Sequence, residues 1–429
     1  MRNNKRKNFS FKMMTVILLS AVIFSFYISG CISPVVGGDH KIPRPDEEVI
    51  DAYDPEVSGS FNQFGLNIME EILQEEENVF ISPVSIAAAL SMTYNGARGE
   101  TKEAIAEALE IKEMEREKFN ENNLALLYLL QEADSSLELY LANSLWMREG
   151  MEFQEDFIKR IEEYYFASVR ELDFDSPEAA DIMNEWVSDR TEGLIDDIIE
   201  PPIDPLSFLF LINAVYFQGD WTTAFDEEDT REDDFYMPGG EATAVPFMYR
   251  SDDLEYLKKD DFQSVRLPYG EEERMAMYVF LPEEGHSLVE FVREFDQENW
   301  RKWRNKFRKT GGDLYLPRFT MEYGKTLNDA LKALGMEIAF DAERADFFEM
   351  VAWENDPRAF ISEVKHKSFI EVNEKGTEAA AATSVEMELT SAPVDTFEMK
   401  VNRPFFFFIH DEVTDAILFA GTVADPSNE

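Results

Sequence analysis

From Ser60 onward the apolar positions Phe61, Phe64, Ile68, Met69, Ile72 and Leu73 recur at intervals of three and four, the spacing of one buried helix face. A second helix is expected to follow at once. Ser82 offers a hydroxyl to the free amides of a first turn, Pro83 fits the first helical position, and the apolar run "SIAAALSMTYN" closes near Gly96. Beyond it the pattern changes to strand-like runs: "LELYLANSLWM", "SFLFLINAVYF", "MAMYVFLP", "LYLPRFTM" and "RPFFFFIH". Helical stretches such as "EAADIMNEWVSDRTEGLIDDII" and "GKTLNDALKALGM" separate them. Strands and helices mix without strict alternation, which predicts an α+β protein with large sheets rather than a doubly wound one.

One segment resists assignment. In "GTEAAAATSVEMELTSAP", residues 376–393, alanine and glutamate favour an exposed helix by propensity. Read with period two, however, Thr377, Ala379, Ala381, Thr383, Val385, Met387 and Leu389 share one face, while Glu378, Ala380, Ala382, Ser384, Glu386 and Glu388 share the other. That alternation describes a strand with one buried face. A third reading is a strand held out of its sheet, and the segment alone leaves all three open.

Composition narrows the function classes. The chain has 429 residues and 45% hydrophobic positions, enough for a large core, and length alone predicts two or three domains. Its formal charge is -47, deepening to -52 without Arg2, Lys5, Arg6, Lys7 and Lys12. Nucleic acid and anionic membrane surfaces repel such a protein, and the ordinary explanation is an acidic surface suited to a salty medium.

Residues 1–30 read as an export signal, a basic start followed by an apolar run from about Thr15 to Ile28 that is short for a membrane span. The run closes on Ile28, Ser29, Gly30 and Cys31, which resembles the lipobox of bacterial and archaeal lipoproteins. Cys31 is then the lipidated first residue of the mature chain, with an uncleaved signal anchor as the alternative. Residues 31–57, rich in Pro, Gly and acids, read as a flexible tether to a domain over 58–429. The expected location is the extracellular face of the cell membrane, or secretion. With a single cysteine no internal disulfide can form, so packing has to supply stability.

Motifs for catalysis are absent: no HExxH, CxxC, GxGxxG, phosphate-binding glycine loop or GxSxG elbow occurs. Four histidines scattered at 40, 286, 366 and 410 argue against a metal site. One basic cluster stands out, with Arg301, Lys302, Arg304, Lys306, Arg308 and Lys309 interleaved with Trp300, Trp303 and Phe307. A docking site for an acidic polymer is one reading. The favoured one pairs these cations with nearby carboxylates while the aromatics enter the core.

Several separated motifs, in order, resemble the serpin family over roughly 60–427. They are "NVFISPVSIAAALSMTYNGARGET", "LANSLWM", "WVSDRTEGLI", "INAVYFQGDWTTAFD", "LPRFTMEYGKTLNDALKALGM", "VKHKSFIEVNEKGTEAAAAT", "NRPFFFFI" and "LFAGTVADP". The resemblance implies one interlocked domain with a large central sheet A, two smaller sheets, about nine helices and an exposed reactive-centre loop, here about 374–396. It also answers the question of the alanine run. "EKGTEAAAAT" is similar to the hinge of inhibitory members, whose loop inserts after cleavage as a new central strand of sheet A. Small groups at Thr377, Ala379, Ala381 and Thr383 suit the face that would enter the core.

By the same resemblance Glu374, Gly376, Thr377, Glu378, Ala379, Ala380, Ala381, Ala382 and Thr383 form the hinge, and the scissile bond falls at Thr390-Ser391, within one or two residues. Ser82, Ser85, Asn213 and His366 match a polar cluster called the shutter, and Trp221 matches the breach at the top of the sheet. As bare sequence these are a helix cap, a satisfied buried histidine and a core aromatic. Thr390 suits elastase-like or subtilisin-like pockets, and a slip to Leu389 suits a chymotrypsin-like one. Trypsin-like enzymes are a poor match, since their pocket aspartate finds no Lys or Arg from Gly376 to Met399. Lys375, Leu194 and "ADFFEM" depart from common family residues, none on the inserting face.

The implied function is suicide-substrate inhibition of serine proteases, with cysteine proteases as a further class, by a monomer that needs no cofactor or metal. The alternative is a non-inhibitory serpin used as a surface binding or structural protein, and a hinge free of proline and bulky residues favours inhibition.

Overall fold

The computed structural model describes residues 42–74, 77–351, 359–377 and 396–427. The described helices are α1 Glu47–Asp51, α2 Glu56–Ile72, α3 Pro83–Gly96, α4 Gly99–Ala108, α5 Arg116–Gln131, α6 Glu155–Tyr165, α7 Ala179–Arg190, α8 Leu288–Glu294, α9 Gln297–Arg304 and α10 Asn328–Leu331. The strands are β1 Val79–Ile81, β2 Leu137–Arg148, β3 Ser168–Leu172, β4 Leu209–Asp220, β5 Arg231–Tyr236, β6 Ala242–Lys258, β7 Phe262–Pro268, β8 Met275–Pro282, β9 Arg308–Pro317, β10 Phe319–Thr326, β11 Ile361–Val372, β12 Gly376–Thr377, β13 Phe397–Lys400, β14 Phe405–Asp411 and β15 Ala416–Val423.

Two sheets organise them. Sheet A has six strands in the order β10-β11-β12-β4-β2-β3, and β11 also pairs directly with β4. The other has nine, in the order β1-β15-β14-β8-β7-β6-β9-β13 with β5 on β6. The two smaller sheets expected from the sequence are therefore continuous. β6 is 17 residues long and serves both parts, pairing β5 near its start, β9 along its middle and β7 at its end.

β4, in the middle of sheet A, is buried on both faces over most of its length, which is why it reads as a near-continuous apolar run. Alternate residues of β4 divide between two cores: Leu209, Leu211, Val215 and Phe217 enter the main one, while Phe210, Ile212 and Ala214 enter a smaller one with Trp146, Trp186 and Met183. The main core draws on residues from Val57 to Val423, so among the described residues the length-based expectation of two or three domains gives way to one. α3 lies against the main face, and all fourteen of its residues are buried. Its start is as expected, with Ser82 capping the Ser85 amide and Pro83 at the first position.

The packed body begins earlier than residue 58. Ile42 exchanges two hydrogen bonds with the Gln131 amide group, α1 forms at Glu47–Asp51, and the Tyr53 hydroxyl donates to the Thr414 carbonyl. Residues 42–57 thus correct the expected tether: apolar Ile42 and Tyr53 pack on the core, a role the Pro- and acid-rich composition hid. Cys31 and the signal segment lie outside the described residues.

Around α9 the favoured reading of the basic cluster holds for its aromatics and for Arg301, Lys302 and Arg304, while Arg308 donates to the Asn305 and Phe307 carbonyls. Trp300, Trp303 and Phe307 are buried, Arg304 and Arg301 reach Asp415 at 2.5 and 3.8 Å, and Lys302 pairs with Glu298 at 2.6 Å.

Candidate functional site

The site assembles around β12, Gly376–Thr377, in sheet A. β11 and β4 run parallel and pair directly from Ile361/Leu209 to Phe369/Tyr216. Above that level they part, and β12 occupies the gap. Gly376 and Thr377 pair antiparallel with Asp220 and Gly219 of β4, and Thr377 pairs antiparallel with Val372 of β11. Two residues of the expected hinge are therefore already strand. Glu378, Ala379, Ala380, Ala381, Ala382, Thr383, Thr390 and Ser391 lie outside the described residues.

The turn between β11 and β12 is held from several sides. Asn373 Oδ1 accepts from the Lys375 amide at 3.0 Å and its own amide donates to the Gly376 carbonyl at 2.9 Å, an Asx-type turn. Trp221 brackets the turn, its indole N–H donating to the Asn373 carbonyl at 2.9 Å and its amide to the Lys375 carbonyl at 2.7 Å. Glu374 is 3% exposed. Its carboxylate accepts from the Arg318 guanidinium, 2.7 Å from Nε, and from the Thr230 hydroxyl. A buried carboxylate needs such donors, because leaving it unpaired is costly. Lys375, a departure from common family residues, lies 3.9 Å from Glu227 at the surface.

Thr377 is fully buried, and its hydroxyl lies 2.8 Å from the Tyr269 hydroxyl. Gly376 meets the opposite strand closely enough that a β-carbon there would stand 2.1 Å from the Gly219 carbonyl oxygen. Only glycine permits this approach.

Lower in the sheet, the register explains the polar cluster. Asn143 of β2, Asn213 of β4 and His366 of β11 are direct cross-strand neighbours, and all face α3. The Asn213 amide group donates to Ser85 Oγ and Asn143 Oδ1, while Asn213 Oδ1 lies 2.6 Å from His366 Nδ1. Ser82 joins through its cap on the Ser85 amide at 3.3 Å. The network spans three strands and a helix at the level where β4 and β11 are still paired. Burial holds His366 well below the ordinary imidazole range, at about 3, with the Phe80 carbonyl partly offsetting it. The ring is therefore neutral at pH 7.

The structure thus brings Ser82, Ser85, Asn213 and His366 together, and separately gathers Trp221, Glu374, Gly376 and Thr377. Arg318, Tyr269, Thr230, Asn143 and Asn373 complete the two groups and were missed from sequence. Their signal is faint: an arginine interrupting the apolar "LPRF", a tyrosine ending the strand "RLPY", and an asparagine within "LANSLW".

Known proteins resemble this chain over most of its length. The Serpin (serine protease inhibitor) family model matches residues 60–426. An uncharacterized serpin-like protein of Thermococcus kodakarensis is 36% identical over 377 residues, 87% of this chain and 86% of its own. Human Serpin B8 is 35% identical over 369 residues, 83% of this chain and 96% of its own. Among solved structures, a thermophilic serpin, tengpin, in the native state superposes with a TM-score of 0.79 at 32% identity, covering 89% of this chain and 95% of that one. Fold, hinge and a family match over nearly the whole described body converge, and the chain belongs to the serpin family.

Proposed function

We propose that the protein is a suicide-substrate inhibitor of serine proteases, and by the same acyl-enzyme chemistry of cysteine proteases, that traps its target by inserting the cut loop into sheet A. The observation that carries this reading is β12. Gly376 and Thr377 already run antiparallel between β4 and β11, so a strand continued beyond Thr377 would be aligned with the seam between these two strands, which would part to admit it. The target performs the catalysis; after acylation, the inserting loop drags it away from the geometry that deacylation needs.

Small residues at Ala379, Ala381 and Thr383 share the parity of buried Thr377 and support insertion. The non-inhibitory alternative has no comparable support, because the hinge carries nothing that would obstruct a strand. Thr390-Ser391 is the proposed scissile bond, with elastase-like, subtilisin-like or chymotrypsin-like proteases as targets. Tethering through a lipid on Cys31 at the outer face of the membrane is part of the proposal, tested by palmitate labelling that Cys31→Ser abolishes.

Mixing the protein with elastase or subtilisin is expected to give a complex that survives boiling in detergent. Cutting at or near Thr390 with the protease left active would overturn the inhibitor reading.

A further inference from the structure

We propose that Tyr269 receives the hinge and sets the register in which the loop enters sheet A, with Asp134 as the residue that holds Tyr269 in place; the inference rests on the insertion reading above. The Tyr269 ring is fully buried, stacked on Trp221 with centroids 4.4 Å apart and planes at 17°, and edge-on to Phe217 at 5.1 Å. Packed on two sides, the ring has little freedom to turn, and its hydroxyl points at Thr377 Oγ1, 2.8 Å away. Burial pushes the phenol upward, so it keeps its proton and can donate.

Tyr269 stands at the start of a turn that Asp134 clamps. Asp134 Oδ2 accepts from the amides of Glu271 and Glu272, both at 3.0 Å, while Oδ1 accepts from the Ser136 amide and hydroxyl at 2.8 and 2.7 Å. Gly270, at φ +68°, sits against this carboxylate so closely that a β-carbon would lie 2.3 Å from Oδ2. The turn is tied to β4 as well, since the Gly270 amide donates to the Asp220 carbonyl at 2.9 Å. Asp220 is the residue opposite Gly376. The clamp, the tyrosine and the hinge are thus one connected unit.

Register is what this unit decides. Side chains alternate along a strand, so a slip of one residue exchanges its two faces. With Thr377 turned toward Tyr269, residues 379, 381 and 383 share its parity and are small, whereas a slip would give that parity to Glu378, Glu386 and Glu388. A hydroxyl recognised at position 377 selects the first arrangement, and Thr or Ser satisfies it.

The test is amide hydrogen exchange of Gly376 and Thr377 in the uncut full chain, with no target protease present. Tyr269→Phe and Thr377→Val are each expected to speed exchange about fivefold, the equivalent of one neutral hydrogen bond. The double variant should exchange no faster than either alone, and Thr377→Ser should keep the parent rate. Unchanged exchange in Tyr269→Phe, or single effects that multiply in the double variant, would overturn the assignment. Asp134→Asn is expected to speed exchange at Glu271, Glu272 and Thr377 together; a change confined to the turn would remove Asp134 from the proposal. Because no target is used, failure here leaves the inhibitor reading standing, and absence of a protease complex leaves the exchange result standing.

Discussion

His366 and Asn213 face each other across β11 and β4, with His366 Nδ1 2.6 Å from Asn213 Oδ1. The contact spans the one pair of strands that would separate to admit another. A neutral imidazole is needed there, because its charged form would be buried beside no carboxylate that the hydrogen-bond network supplies.

This makes the sheet acid-sensitive before its carboxylates titrate. The unfolded chain binds a proton at His366 below about pH 6.5, whereas the folded one resists down to about 3. The stabilisation is therefore complete above the unfolded value and is lost progressively as pH falls from about 6.5 toward 3. The unfolding free energy from urea titrations is expected to decline between pH 6.5 and 5, by about 1 kcal/mol per pH unit from this residue. His366→Gln should remove that slope, and a slope equal to the parent's would sink the prediction.

A second buried histidine titrates in the opposite sense. Burial pulls His410 down, but Asp415 at 3.1 Å and Glu412 at 3.8 Å outweigh it and raise the imidazole. Arg304, Arg301 and Tyr278 also border this pair of carboxylates. A raised folded value means that the stabilisation is full below about 6.5 and fades as pH rises through it. His410→Gln is expected to flatten the loss of stability on the alkaline side, measured by thermal unfolding from pH 6.5 to 9.

Glu374 and Arg318 form the third test. Arg318→Ala leaves a buried carboxylate with only the Thr230 hydroxyl, and since Arg318 is partly exposed the expected cost is about 2 kcal/mol. Arg318→Lys should recover part of it. Equal stability of Arg318→Ala and the parent in urea would show that the pair contributes nothing.

Gly376→Ala is expected to expel β12, because its β-carbon would stand 2.1 Å from the Gly219 carbonyl oxygen and 2.7 Å from Asp220 Cα. A glutamate-specific protease should then cut after Glu374, which the parent keeps buried. Equal resistance in the two proteins would contradict the expectation.

Thr377→Arg is expected to convert inhibitor to substrate. Burying an unpaired guanidinium costs at least about 3 kcal/mol, so the loop should be cut without a detergent-stable complex. Undiminished trapping would argue against the insertion route.

Much of this was legible in the chain. Ser82 and Pro83 marked the start of α3, and the apolar runs marked β2, β4, β8 and β14. The helix is shorter than the pattern from Glu178 predicts: α7 ends at Arg190, where Gly193 at φ +80° and the amide ties of Thr191 turn the chain. "LYLPRFTM" is likewise two strands, divided at Arg318. The hinge came from family resemblance, because alternation alone left 376–393 ambiguous. Tyr269, Arg318 and Asn143 were missed for a common reason. Each acts on a partner far away in sequence, Asn143 through strand register and Tyr269 and Arg318 through packing beside the β11–β12 turn, a property that no single segment carries.

The parallel contact between β4 and β11 has an energetic consequence. Every other described neighbour of these two strands within sheet A runs antiparallel. Extending β12 downward would exchange one slanted ladder for two perpendicular ones, roughly doubling the rungs while removing the weaker kind. On the proposed insertion, the driving force would lie in that missing rib, and severing the bait would release it.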